Sequence, residues 1–137
     1  MIEDSARYRD LRILVIEDES FSRRIITGLL RQIGYVHVEE ARDGEDGMRE
    51  TLRTRPHVVL CDIHMQPLDG LGYLSRLRDH PDDQVAATPV VFLTGDKQEE
   101  TVLSAKQLKV DGYLVKPVSL ALLKQHLDKM LKFYHLI

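Results

Sequence analysis

The feature that most constrains the fold is an alternation of short apolar runs with longer amphipathic segments. A continuous apolar run is typical of a strand that is buried on both faces of a sheet. The second run is the most polar, as expected for a strand at the edge of a sheet. The five runs are Leu11–Asp18, Tyr35–Ala41, His57–Asp62, Pro89–Gly95 and Gly112–Pro117.

The amphipathic segments carry apolar residues three and four positions apart, which is the spacing of one helix face. Predicted helices occupy residues 20–35, 43–55, 69–80, 97–110 and 119–136. The Asp-rich segment at residues 79–88 is expected to be a polar loop. Five strands alternating with five helices predict an α/β fold, a doubly wound five-stranded parallel sheet with helices on both faces.

Reactive side chains end four of the five runs: Glu17 and Asp18, then Asp62, Thr94 and Lys116. The carboxyl ends of parallel strands lie at one edge of a sheet, so these side chains are expected to lie together. An isolated Asp at a strand end is commonly a cap, and an isolated Thr or Lys is commonly structural or solvated. Four such endings in one pattern indicate a site.

Three carboxylates at one edge repel one another unless a cation joins them. Mg²⁺ suits a small oxygen-ligand site that remains partly hydrated. The metal ion, an ammonium and a hydroxyl together can neutralise a transferring phosphoryl group, and a carboxylate can act as its nucleophile. The edge therefore predicts Mg²⁺-dependent phosphoryl chemistry.

The composition of the chain argues against several other classes of function. A formal net charge of −3 gives no electrostatic basis for direct binding of nucleic acid or an anionic membrane. A single cysteine excludes an intrachain disulfide and fits a reducing compartment. No segment has the apolar length of a signal peptide or membrane span. We therefore expect a cytoplasmic protein with one domain.

The chain resembles the receiver domains of two-component response regulators. The resemblance is carried by the acidic pair after the first run, D-x-x-M and L-D-G around the third, T-G after the fourth and Y-x-x-K-P in the fifth. It implies a flavodoxin-like fold with strand order 2-1-3-4-5. It also implies a receiver domain over residues 11–137 that follows an N-terminal extension over residues 1–10.

The resemblance implies a role for each residue at the strand ends. Asp62 is the phosphoacceptor, while Lys116 and Thr94 contact the phosphoryl oxygens. Tyr113 is the aromatic switch that turns inward when Thr94 moves toward the phosphate. The peptide bond Lys116–Pro117 is expected to be cis.

The same resemblance implies that Mg²⁺ is held by Glu17, Asp18, Asp62 and the backbone carbonyl of His64. The side chains of His64 and Asp96 are expected to tune the lifetime of the phosphorylated state. Such a domain is a switch and not an enzyme, apart from Mg²⁺-dependent self-phosphorylation and autodephosphorylation.

The implied phosphodonor is a histidine kinase or a histidine phosphotransfer protein. The implied receiver of the signal is a downstream protein target or a fused output domain, and a phosphorylation-dependent homodimer is a further expectation.

Two positions depart from the family pattern: Glu17 stands where Asp is usual, and Gln66 precedes Pro67 where proline usually follows the methionine directly. These departures keep open an alternative, a degenerate receiver that binds partners without phosphate. An aspartate-nucleophile phosphatase is less favoured, because such enzymes need a general acid two residues after the nucleophile, where this chain has His64.

Overall fold

A five-stranded parallel sheet organises the chain, as the computed structural model of residues 7–95 and 106–137 shows. The strands are β1 Arg12–Ile16, β2 His37–Ala41, β3 Val58–Cys61, β4 Val90–Thr94 and β5 Gly112–Val115. The described helices are α1 Ser20–Ile33, α2 Gly44–Thr54, α3 Gly70–Arg78, α4 Asp83–Ala86 and α5 Leu120–Phe133. The strand order is β2-β1-β3-β4-β5 with every pairing parallel, which confirms the predicted fold.

The burial of the strands explains their sequence patterns. Every residue of β3 and of β4 is buried, because helices cover both faces of the sheet centre. Strand β2 lies at the edge of the sheet and mixes exposed with buried residues, so its run is more polar.

Two apolar clusters lie on opposite faces of the sheet. Alternate residues of β1 divide between them: Ile13 and Val15 belong to the first, and Leu14 and Ile16 belong to the second. The first cluster also contains the buried faces of α1 and α5, whereas the second contains that of α3. The sheet is therefore anchored by apolar packing on both of its faces.

The segment at residues 79–88 differs from the expected loop, because it contains the short helix α4. Val85 is buried in the second cluster, and the Asp82 carboxylate accepts hydrogen bonds from the backbone N–H groups of Gln84 and Val85. A single buried valine gives too little periodic signal to predict one helical turn. The predicted helix at residues 97–110 lies largely outside the described residues.

The residues just before β1 pack onto the domain. Tyr8 is fully buried in the first cluster, and its hydroxyl donates a 2.6 Å hydrogen bond to Asp128 on α5. No helix described in residues 7–95 and 106–137 has both the length and the apolarity needed to cross a membrane.

Candidate functional site

The ends of the strands are held by backbone hydrogen bonds that continue past the strands themselves. The Asp62 N–H donates to Ile16 O at 2.9 Å, and the Lys116 N–H donates to Thr94 O at 2.8 Å. The Glu17 N–H donates to Ala41 O at 3.0 Å. Because these bonds extend the sheet by one residue at three strand ends, the three side chains lie at one edge of the sheet, as predicted.

The three predicted metal-binding carboxylates lie together at this edge. Glu17, Asp18 and Asp62 each offer an oxygen, and these oxygens lie within 4.8 Å of one another. Glu17 is buried, Asp62 is partly buried and Asp18 is exposed, so one side of the group is open to solvent. Such an all-oxygen, half-open set fits a hard cation that keeps some of its water, as Mg²⁺ does.

Lys116 directly follows β5, which is separated from β3 by β4, and its long side chain reaches back to the carboxylates. Its Nζ lies 2.9 Å from Glu17 Oε2 and 3.3 Å from Asp62 Oδ2. The ammonium thus offsets part of the negative charge of the group when no cation is bound.

Burial and charge shift the pKa values in this group. Burial, followed by the neighbouring Asp62 carboxylate, raises the pKa of Glu17 to about 7, although Lys116 opposes the shift. Burial lowers the pKa of Lys116, but its hydrogen bond to Glu17 and the charges of Asp62 and Glu17 outweigh burial and leave that pKa above its usual value. Lys116 is therefore a fixed positive charge at neutral pH.

The Asp62 carboxylate is oriented by its own neighbours. Its Oδ1 accepts a 2.7 Å hydrogen bond from the Ile63 N–H, while its Oδ2 faces Lys116. The side chain is 12% exposed, so a reactant can reach it only from the open edge. One oxygen is thus held by the backbone and the other lies beside a positive charge.

The loop after Asp62 depends on Gly70. The Gly70 N–H donates a 2.7 Å hydrogen bond to Ile63 O, and a Cβ at Gly70 would lie only 2.3 Å from Asp62 O. A side chain at this position would therefore push the first residue of α3 away from the phosphoacceptor candidate. The L-D-G motif has this physical basis: the close approach requires glycine.

Gln66, which stands where the family usually has proline, lies in the same loop. Ile63 and Met65 are buried, whereas His64 and Gln66 are exposed. The peptide bonds Gln66–Pro67 and Lys116–Pro117 are both cis, the second of them as expected. His64 and Gln66 border a cavity of about 540 Å³ that Asp18 also lines, so the loop lies beside the acidic group.

Thr94 and Tyr113 lie on the two strands farthest along the chain. Thr94 is the last residue of β4 and is fully buried, while Tyr113 pairs with Phe92 in the register of β4 and β5. Tyr113 is half-buried against the second apolar cluster. Asp96, the other residue predicted to tune lifetime, lies outside the described residues.

Two contacts at the site were missed by the sequence analysis. The Lys116 ammonium lies 3.3 Å from Ser22 Oγ on α1, and Arg23 Nη1 donates a 2.7 Å hydrogen bond to the backbone oxygen of Glu17. Both residues lie inside a helix, where neither shows a motif that links it to a strand end.

Comparison with known proteins identifies the class that this fold and site define. The model of the family described as response regulator receiver domain matches residues 13–128. The chemotaxis protein CheY-3 of Vibrio cholerae is 33% identical over 122 residues, which cover 89% of this chain and 92% of that protein. A probable chemotaxis protein CheY of Rhizobium etli is 30% identical over 118 residues, or 86% and 90% of the two chains.

Solved structures with a similar fold belong to proteins of the same kind. The chemotaxis protein CheY4 of Vibrio cholerae superposes with a TM-score of 0.79 at 26% identity, covering 87% of this chain and 97% of that chain. The signal receiver domain of a signal transduction histidine kinase from Syntrophus aciditrophicus gives the same TM-score and identity, covering 88% and 89%.

The chain belongs to the response regulator receiver family and has the CheY-type fold. Receivers of this family are signalling switches, generally not enzymes, and they bind Mg²⁺ at an acidic group such as that of Glu17, Asp18 and Asp62.

Proposed function

We propose that this receiver is a phosphorylation switch that accepts a phosphoryl group on Asp62 in the presence of Mg²⁺. The observation that supports it best is the position of Asp62, whose carboxylate belongs to the acidic group and lies 3.3 Å from the Lys116 ammonium. A nucleophile placed between a cation site and a lysine has the surroundings that phosphoryl transfer needs.

The chemistry is a displacement at phosphorus. An Asp62 oxygen forms a bond to phosphorus while the phosphorus–nitrogen bond of a donor phosphohistidine breaks, and the electron pair of that bond remains on the donor imidazole. Lys116 and the Thr94 hydroxyl contact the phosphoryl oxygens. When bound, Mg²⁺ supplies positive charge to the same oxygens, and Glu17, Asp18, Asp62 and the carbonyl of His64 would hold it.

The signal then spreads by a change in contacts. An acyl phosphate adds negative charge at Asp62, and the conformer in which Thr94 and Lys116 bind that charge best becomes the favoured one. Thr94 follows the phosphate, and Tyr113, which is only half-buried, turns inward. His64 and Asp96 set how quickly water removes the phosphate.

The phosphodonor in this proposal is a histidine kinase or a histidine phosphotransfer protein. Phe21 and Ile25 of α1 are 68% and 48% exposed, and they line a groove of about 310 Å³ that Lys116 also borders. Exposed apolar side chains beside a reactive carboxylate suit a protein donor whose histidine reaches Asp62. The proposed receiver of the signal is a downstream protein or a fused output domain. We also propose that the protein is cytoplasmic and that it forms a homodimer when phosphorylated.

Mass spectrometry of the intact protein tests this function. With acetyl phosphate and Mg²⁺ we expect the protein to gain one phosphoryl group, because the small donor needs only Asp62, Lys116 and the metal. The gain should disappear when the metal is chelated and in Asp62→Asn. Asp79→Asn, an equally conservative change at an exposed carboxylate away from the site, should retain it.

The remaining outcomes separate the alternatives. If the wild type gains no phosphoryl group from acetyl phosphate or from a histidine-phosphorylated donor, the degenerate binding module replaces this proposal. Rapid turnover of an added phosphomonoester, blocked by Asp62→Asn, would instead identify a phosphatase.

A further inference from the structure

Within the described residues 7–95 and 106–137, the Lys116 ammonium contacts three oxygens, and one of them belongs to neither the acidic group nor the implied phosphate contacts. The Nζ atom lies 2.9 Å from Glu17, 3.3 Å from Asp62 and 3.3 Å from Ser22 Oγ. A lysine ammonium has three N–H donors, so these three oxygens provide one acceptor for each.

Ser22 is fixed in position by the first turn of α1. Its N–H donates a 2.9 Å hydrogen bond to the carboxylate of Glu19, the residue that caps the helix. The helix is anchored farther along by Ile26 and Leu30, which are buried in the first apolar cluster. The hydroxyl therefore comes from a rigid element, whereas the lysine side chain that reaches it is long and flexible.

The contact with Ser22 differs from the other two because it is independent of a cation. Glu17 and Asp62 belong to the group whose oxygens are suited to a metal ion, so their charge is shared once a cation binds. Ser22 is neutral and lies outside that group. Its hydroxyl can keep the ammonium at the sheet edge whether or not the carboxylates bind a cation.

We infer that Ser22 is a positioning residue for phosphoryl transfer, holding the Lys116 ammonium where it meets a phosphoryl oxygen beside Asp62. This inference rests on the proposed function of Asp62. Holding a charged group in place before reaction lowers the cost of orienting it during the reaction.

The test compares Ser22→Ala, Ser22→Thr and a matched control, Ser20→Ala, which changes an exposed serine in the same helical turn. Intact-mass kinetics over a series of acetyl phosphate concentrations, with Mg²⁺, give the rate constant of phosphoryl gain. Loss of one hydrogen bond is expected to slow Ser22→Ala by about 3- to 10-fold. Ser22→Thr keeps the hydroxyl and should recover most of the rate, and Ser20→Ala should match the wild type.

A second readout needs no reaction. The ammonium protons of Lys116 in the metal-free protein can be followed by ¹H–¹⁵N NMR at low temperature, with the signal assigned from its absence in Lys116→Arg. We expect these protons to exchange with water faster in Ser22→Ala than in the wild type or in Ser22→Thr.

The outcomes distinguish this inference from the function on which it rests. An unchanged rate in Ser22→Ala, or a rate in Ser22→Thr as low as that in Ser22→Ala, would overturn the role of the hydroxyl. If the wild type gains no phosphoryl group, the proposed function fails and the positioning role fails with it. The proton exchange of Lys116 then still shows whether the contact with Ser22 exists.

Discussion

At the scale of single residues, the site is an arrangement of charges that a cation or a phosphate can change. The buried Glu17 carboxylate lies beside Asp62, and the Lys116 ammonium forms ion pairs with both. The Glu17 carboxylate, which follows the first strand, lies 2.9 Å from the lysine ammonium. The departure from the usual aspartate therefore retains a carboxylate in contact with Lys116.

The pKa of Glu17 predicts how the stability of the metal-free protein depends on pH. Its folded-state pKa of about 7 lies above the usual 4.5, so the folded state holds the proton more tightly than the unfolded state does. The contribution of Glu17 to the free energy of unfolding should therefore be fully present below pH 4.5 and should be lost as the pH rises through 7, a change on the order of 3 kcal/mol.

Urea unfolding of wild type and Glu17→Gln across this pH range measures the effect. The difference in the free energy of unfolding between the two proteins should change between pH 4.5 and 7 and level off above 7. Mg²⁺ should reduce the loss in the wild type, because the cation favours the charged carboxylate. A difference that stays constant with pH would show that Glu17 titrates at its ordinary value.

At the scale of secondary-structure elements, two glycines place helices against the loop that follows β3. Gly70 begins α3 against Asp62 and Ile63, and Gly44 begins α2 with its N–H bonded to Leu68 O at 2.9 Å. A Cβ at Gly44 would lie 2.6 Å from that same oxygen. The loop beside the acidic group is therefore held by backbone contacts from two helices.

The close approach at Gly70 predicts a large effect of one added methyl group. Gly70→Ala should destabilise the protein by about 1–3 kcal/mol, because the Cβ meets backbone atoms that cannot turn aside. It should also slow phosphoryl gain at Asp62 by moving the loop. Urea unfolding and the mass-spectrometric assay report the two effects separately.

Gly28→Ala is the matched control, since a Cβ at this position in α1 has no neighbour within 4 Å. It should stabilise the helix by about 0.5–1 kcal/mol. If Gly70→Ala also left the protein as stable as Gly28→Ala does, the loop after β3 would have to move aside for the added Cβ, contrary to its close packing against Gly70.

At the scale of the whole molecule, the segment that precedes β1 completes the core. Tyr8 packs against Tyr35 with ring centroids 4.8 Å apart, and its hydroxyl reaches Asp128 on α5. The first residue that the family model matches is residue 13, so Tyr8 lies outside the matched region while both of its partners lie within it. The N-terminal segment thus connects the start of the sheet to the last helix.

Truncating Tyr8 should therefore affect the entire domain. Tyr8→Ala is expected to cost about 3–5 kcal/mol, since a fully buried aromatic ring leaves a cavity. Tyr8→Phe keeps the ring and removes only the hydrogen bond, so its cost should be about 1 kcal/mol. Thermal and urea unfolding measure the loss of stability in each variant. Equal losses in both variants would show that Tyr8 stabilises the domain through its hydroxyl and not through its ring.

The sequence alone determined the parallel sheet, its order through the family resemblance, and the residues that gather at its edge. Those features are readable because a buried strand is a continuous local run, and because the topology carries the ends of parallel strands to one edge. The short helix at Asp83–Ala86 was not predicted, since one turn with a single buried valine has no periodic pattern.

Only the tertiary structure decided which distant residues touch. Ser22 meets Lys116 across 94 positions, and Tyr8 meets Asp128 across 120 positions. Neither pair has a local pattern, because each contact depends on how a helix packs against the sheet. The same packing buries Glu17 and raises its pKa, so the sequence supplied the groups of the site while the fold decided their charges, partners and distances.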